Sequence, residues 1–107
     1  MIEVGFQRKG KRLEGFMVTG HAGYADHGQD IVCAAVSALA QTAVIALKRL
    51  TEAKVDVCVQ EGSLQCHLGE GAEYGTRAWI ILESMRLGVQ EIARHYSEYI
   101  RIDDQEV

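Results

Sequence analysis

The sequence predicts an α/β (α+β) fold: a two-layer sandwich of order ββαββαβ, with two long helices packed on one face of a mostly antiparallel sheet. Three observations carry that expectation. Apolar and polar residues alternate in two pairs of short segments, each pair broken by a glycine-containing turn. Two longer stretches instead repeat apolar residues at three and four residue spacing. The 107 residues suffice for one hydrophobic core and are too few for a second, so 1–107 reads as a single domain.

The elements follow in order. Ile2, Val4 and Phe6 alternate with polar or small neighbours, RKGKR (8–12) turns around Gly10, and LEGFMVTG is extended again, so residues 2–20 read as a hairpin. His21 lies just past its second strand. From Ile31 the pattern changes, with Val32, Val36, Leu39, Ala43, Leu47 and Leu50 falling on one helical face over about five or six turns. The many alanines favour helix and leave a slim profile for close packing.

Val55, Val57 and Val59, then Gly62-Ser63, then Leu64, Cys66 and Leu68 make a second hairpin. After GEGAEYG, the stripe Ala78, Ile81, Leu82, Met85, Val89, Ile92, Ala93 and Tyr96 predicts a second helix over 76–96. YIRID (99–103) reads as a short last strand before a polar end.

Composition narrows the function classes. Hydrophobic residues make up 48% and charged residues 24%, the balance of a soluble globular chain, and no stretch has linker composition. A net charge of −4 gives no basic footprint, so nucleic acid is not an expected partner. RKGKR is the local exception; a solvated turn explains it, and a contact with RNA or an acidic partner stays open. MIEVGF lacks the basic start and apolar run of a secretory signal, and Ser37, Gln41 and Lys48 interrupt the apolar residues after Ile31. The expected compartment is the cytoplasm, with no membrane association.

Three cysteines without an export signal read as reduced thiols. Strand parity sends Cys66 inward with Leu64 and Leu68 and Cys58 to the opposite face, which argues against a bridge between them. Cys58 and His67 share that opposite face and are cross-strand neighbours in one of two registers; exposed strand residues, or a patch under a dimer partner, explain them.

The chemistry concentrates in GHAGYADHGQDIVCAAVSAL, residues 20–39. If a helix starts at Ile31, Asp30 is its N-cap and Cys33 lies in its first turn, where the partial positive charge of the helix end favours a thiolate. Gly23 and Gly28 allow the intervening loop to bring His21 back beside Cys33, where it can take the thiol proton and return it to a leaving amine. Backbone N–H groups at the same helix end are candidates to stabilise an oxyanion. Ser37, four residues on, shares the Cys33 face and either bonds back to the Cys33 carbonyl, supports a loop, or is a simple helical serine. Residue spacing alone leaves two readings open, a working pair or a surface histidine and an ordinary buried thiol.

Rivals exist within the same segment. His27 is a second candidate base, and His21, Asp26, His27 and Asp30 carry metal-ligand chemistry, though without helical metal-site spacing. No metal and no cofactor is expected. Gly69-Glu70-Gly71 lacks the Lys-Ser/Thr of a phosphate loop. His95 suits the C-terminal end of a helix. Trp79 and Ile80 flank the second helical stripe and read either as core packing or as an exposed strip for dimerisation or peptide binding.

The block joining Gly20-His21-Ala22, Gly28, Asp30, Val32, Cys33 and Ser37 resembles the ribosomal-processing cysteine protease family, Prp. Chain length and element order agree with that family over essentially the whole chain. The resemblance implies a cysteine endopeptidase with Cys33 as nucleophile, His21 as general base and acid, and Asp30 and Ser37 in support. It also implies a substrate, a large-subunit ribosomal protein precursor whose short N-terminal extension is removed after an aromatic residue. It implies a homodimer, and a loop between the histidine and the cysteine that closes over substrate, here Ala22 to Gln29 with Tyr24 as a candidate lid residue. Two other classes stay in view: a non-catalytic ribosome-associated or partner-binding module, and a thiol hydrolase of small acyl substrates.

Overall fold

The computed structural model describes residues 1–26, 30–69 and 76–105. The elements run β1 (Ile2–Lys9), β2 (Arg12–Thr19), α1 (Ile31–Leu50), β3 (Val55–Gln60), β4 (Ser63–Leu68), α2 (Thr76–His95) and β5 (Ile100–Gln105). The predicted ββαββαβ order holds. The strands form one sheet in the order β3-β4-β2-β1-β5, antiparallel except for β1 and β5, which pair in parallel.

Register sorts the side chains. Opposed residues share a face, so Val4↔Val18, Phe6↔Phe16, Phe16↔Cys66 and Val57↔Cys66 line up one continuous apolar surface across four strands. Ile100, paired with Ile2, extends it onto the fifth. Against this surface lie Val32, Val36, Ala40, Ala43 and Leu47 of α1 and Ala78, Leu82, Met85 and Val89 of α2, all buried. The helices touch each other as well as the sheet. The large apolar side chains buried here contribute about 1.5–3 kcal/mol each. The opposite sheet face is bare and polar, with Glu3, Gln7, Gln65, His67 and Arg101 exposed.

α1 owes its limits to side-chain caps. Asp30 accepts at its start, and at its end the Thr51 hydroxyl donates to the Leu47 carbonyl at 2.6 Å while accepting from Ala53 N. Lys48 and Arg49 complement the dipole of the last turn. By length and hydropathy α1 matches a membrane span, but its apolar stripe is buried against the sheet and α2.

Several details differ from expectation. The last strand starts at Ile100, one residue later than predicted, because Tyr99 N turns back to the Tyr96 carbonyl. It then runs to Gln105 because parallel pairing with β1 continues that far. Cys58 faces Gln65 and His67 faces Asp56, so Cys58 and His67 are not directly opposed; the Gly62 turn sets this register. Arg8 is not part of a solvated basic tip. A bulge between Gln7 and Arg8 accompanies its turn toward Asp104 and Glu83, leaving Lys9, Lys11 and Arg12 exposed. Val59 has the inward parity of its strand yet is 71% exposed, since it stands on the edge strand beyond the cover of α1.

Candidate active site

His21 sits one residue past Gly20 at the exit of β2. Gly20 holds φ +86°, and a Cβ there would meet the Met1 carbonyl oxygen at 2.6 Å, so only glycine fits. Its N–H donates to the Gly62 carbonyl at 3.0 Å, tying the exit of β2 to the β3–β4 turn. Gly62, at φ +72°, comes near the exposed imidazole: a Cβ there would stand at ordinary contact distance, 3.6 Å, from His21 Nε2.

Cys33 occupies the first turn of α1 and is half-buried. Asp30 caps that turn as the sequence anticipates, its Oδ1 accepting from Val32 N and Cys33 N at 3.0 Å each. Its Oδ2 accepts from Tyr24 N at 3.1 Å, so one carboxylate pins the loop to the helix. Partial desolvation pushes the Asp30 carboxyl up, but the N–H groups of Cys33, Tyr24 and Val32 and the Cys33 thiol outweigh it and hold the group below the usual aspartate range.

The sulfur has one further donor. Ala22 N–H points at Cys33 Sγ, 3.2 Å away, from a buried residue adjacent to His21. With the N-terminal end of the α1 dipole, this places positive backbone charge around the atom. The expectation that the helix-end N–H groups serve an oxyanion changes in this light. Those of Val32 and Cys33 are taken by the Asp30 carboxylate and that of Ala34 by the Asp30 carbonyl, which leaves Ala22 N–H as a donor already at the sulfur.

Two depressions meet at Cys33. One, about 620 Å³, runs between α1 and the β3–β4 hairpin; the other, about 460 Å³, lies under the loop after His21. His21, Cys33 and Ser37 line both. The structure therefore brings three of the sequence-predicted residues to one junction and places Asp30 behind it. Ser37 does not support the loop: its hydroxyl accepts from Gln41 Nε2 at 2.9 Å. Tyr24 does not lie over the cleft, since its ring packs edge-on against Tyr96 and Tyr99, with centroids 5.7 and 5.2 Å apart. His27, Gly28 and Gln29 lie outside the described residues, as does Glu70-Gly71 of the glycine loop.

The other thiols differ in kind. Burial pushes the Cys66 thiol up to about 11 against an opposing effect of Lys48, making it a neutral core group. Cys58 is exposed on a strand, away from any helix end. Among the described residues no three His, Cys, Asp or Glu side chains cluster as metal ligands. His95 lies 3.4 Å from Glu91 in the last turn of α2. Residue patterns alone missed Gly62 and the Ala22 N–H. Gly62 was visible only as a turn residue, and a backbone donor leaves no mark on residue identity.

Comparison with known proteins gives the family and the fold. The profile of the family described as Cysteine protease Prp matches residues 1–101. The ribosomal processing cysteine protease Prp of Bacillus subtilis (strain 168) is 33% identical over 107 residues, covering 95% of this chain and 96% of that one. Its counterpart in Staphylococcus aureus (strain NCTC 8325 / PS 47) is 29% identical over 102 residues, covering 95% of each. The S. aureus protease Prp solved with a covalently linked product peptide superposes with a TM-score of 0.90 at 28% identity, over 98% of this chain and 100% of that one. The same enzyme with a substrate peptide gives 0.84 at 27% identity, with the same coverage. With the family profile, the named relatives and the fold in agreement, the chain belongs to the Prp family of cysteine proteases and is a hydrolase of peptide bonds.

Proposed function

We propose that this protease removes the N-terminal extension of a large-subunit ribosomal protein precursor, cutting after an aromatic residue, with Cys33 as nucleophile and His21 as general base and then acid. The observation that carries the reading is the position of Cys33 between two depressions, which gives a peptide room on both sides of the reacting bond. The relatives are ribosomal processing proteases, which supports that class of target, and two related structures hold peptides.

In the proposed reaction His21 takes the thiol proton and the sulfur attacks the carbonyl carbon, forming a C–S bond as the carbonyl becomes an oxyanion. Ala22 N–H is released from the sulfur toward the charge that moves to oxygen. The C–N bond then breaks, and the leaving amine takes the proton from His21. Water, deprotonated by His21, hydrolyses the thioester and restores the thiol. Asp30 acts by position, holding Cys33 and Tyr24 from its two oxygens. Tyr24, seated on Tyr96 and Tyr99, is an anchor for the loop and not a lid over substrate. The working protein is a homodimer in the cytoplasm, with no nucleic acid or membrane partner.

Product mapping tests the reading. A peptide spanning the extension and the first residues of the mature ribosomal protein is expected to be cut at one bond, and replacing the aromatic residue before it with glycine is expected to lower kcat/KM by at least about 100-fold. Equal turnover of the glycine peptide, or turnover of a small thioester with no peptide cleavage, contradicts it.

A further inference from the structure

The larger depression starts at Cys33 and follows α1 as far as Lys48. Fifteen residues of helix span about 22 Å. An extended peptide advances about 3.3 Å per residue, so the Lys48 ammonium comes level with a substrate residue about five to seven positions from the reacting bond.

The walls between are apolar: Val36, Val44 and Ile45 from α1, Val57, Val59 and Leu64 from the hairpin. Val59 and Ile45, 71% and 50% exposed, have surface still to bury. Among the described residues Lys48 is the one formally charged side chain in this lining. Among the described residues no carboxylate of the chain forms an ion pair with it. A cation at the end of an apolar trough is less screened than one on open surface, so it discriminates between charges brought into the trough.

We propose that Lys48 is a specificity residue, pairing with an aspartate or glutamate of an otherwise apolar substrate segment held along α1. The inference rests on the proteolytic reading. It adds to that reading which substrate sequences are taken: an apolar stretch with an acid at one distant position, in addition to the aromatic residue at the cut.

An aspartate moved through the third to eighth positions on each side of the bond, in peptides otherwise constant, with asparagine and lysine counterparts, tests this. With the wild type, one position is expected to favour aspartate over lysine by about three- to tenfold in kcat/KM, mostly through KM. Lys48→Glu is expected to invert that order at the same position, and Lys48→Arg to keep it. Thermal unfolding of each variant shows that the exposed substitution leaves the fold intact. Cleavage of all peptides with one ranking for wild type and Lys48→Glu overturns the inference alone. Cleavage of none by the wild type overturns the proteolytic reading and the inference with it.

Discussion

His21→Ala is expected to lower the rate of peptide cleavage by about 10²- to 10⁴-fold while leaving the thermal midpoint nearly unchanged. The side chain is exposed at a strand exit, and truncation of such a surface residue costs within about 0.5 kcal/mol. The backbone before it is fixed, since Gly20 fits against Met1 where a Cβ would not. What alanine removes is therefore the proton carrier for Cys33 and the leaving amine, and little of the fold. Steady-state kinetics on the extended peptide with a melting curve on the same sample check both halves. Retention of wild-type turnover by a folded His21→Ala contradicts the assignment and turns attention to His27.

Arg8→Ala is expected to have the opposite signature, a large loss of stability by a residue remote from the site. The Arg8 guanidinium meets Asp104 through Nε at 2.7 Å and a second nitrogen at 3.0 Å, and reaches Glu83 at 3.3 Å, joining β1, β5 and α2. Arg86 contacts the same two carboxylates, at 2.8 and 3.9 Å. Removing Arg8 leaves Asp104 and Glu83, both poorly exposed, with Arg86 alone. A fully buried pair broken in this way costs about 3–5 kcal/mol; partial exposure and Arg86 reduce the expectation to about 2–3 kcal/mol.

Acid dependence follows from the same cluster. The Arg8 hydrogen bond holds the Asp104 carboxyl low, against desolvation, with the charges of Arg8 and Arg86 assisting. A carboxyl lower in the folded than in the unfolded chain contributes stability above its unfolded value, near 3.9, and loses it as pH falls through the folded one. Urea unfolding is expected to show wild-type stability falling below about pH 4, and Arg8→Ala falling less across that window because its Asp104 is no longer held low. Equal stability of the two proteins at pH 7 contradicts this account.

The helices and hairpins are legible because their signals are local. Asp30 before a run of alanines and the alternation of Val55, Val57 and Val59 act within a few residues, and the structure starts α1 at Ile31 and β3 at Val55 accordingly. Contacts between distant segments are not legible in that way. Nothing near Ile100 announces that it pairs in parallel with Ile2, and RKGKR gives no sign that Arg8 alone leaves the basic turn for a carboxylate ninety-six residues away. The site divides along the same line. His21, Cys33 and Asp30 stand out by residue type, and local chemistry gives Asp30 its capping bond. The Ala22 donor, the approach of Gly62 to His21 and the place of Lys48 in the cleft depend on how β2, the second hairpin and α1 pack together.

The central claim, that Cys33 performs peptide cleavage on a ribosomal precursor, is tested most directly by intact-mass analysis. The N-terminally extended ribosomal protein from the same organism is incubated with the wild type and, separately, with Cys33→Ala. The account predicts loss of one defined N-terminal peptide with the wild type and an unchanged mass with Cys33→Ala. Cleavage by Cys33→Ala, or none by the wild type on a precursor confirmed to be folded and extended, contradicts it.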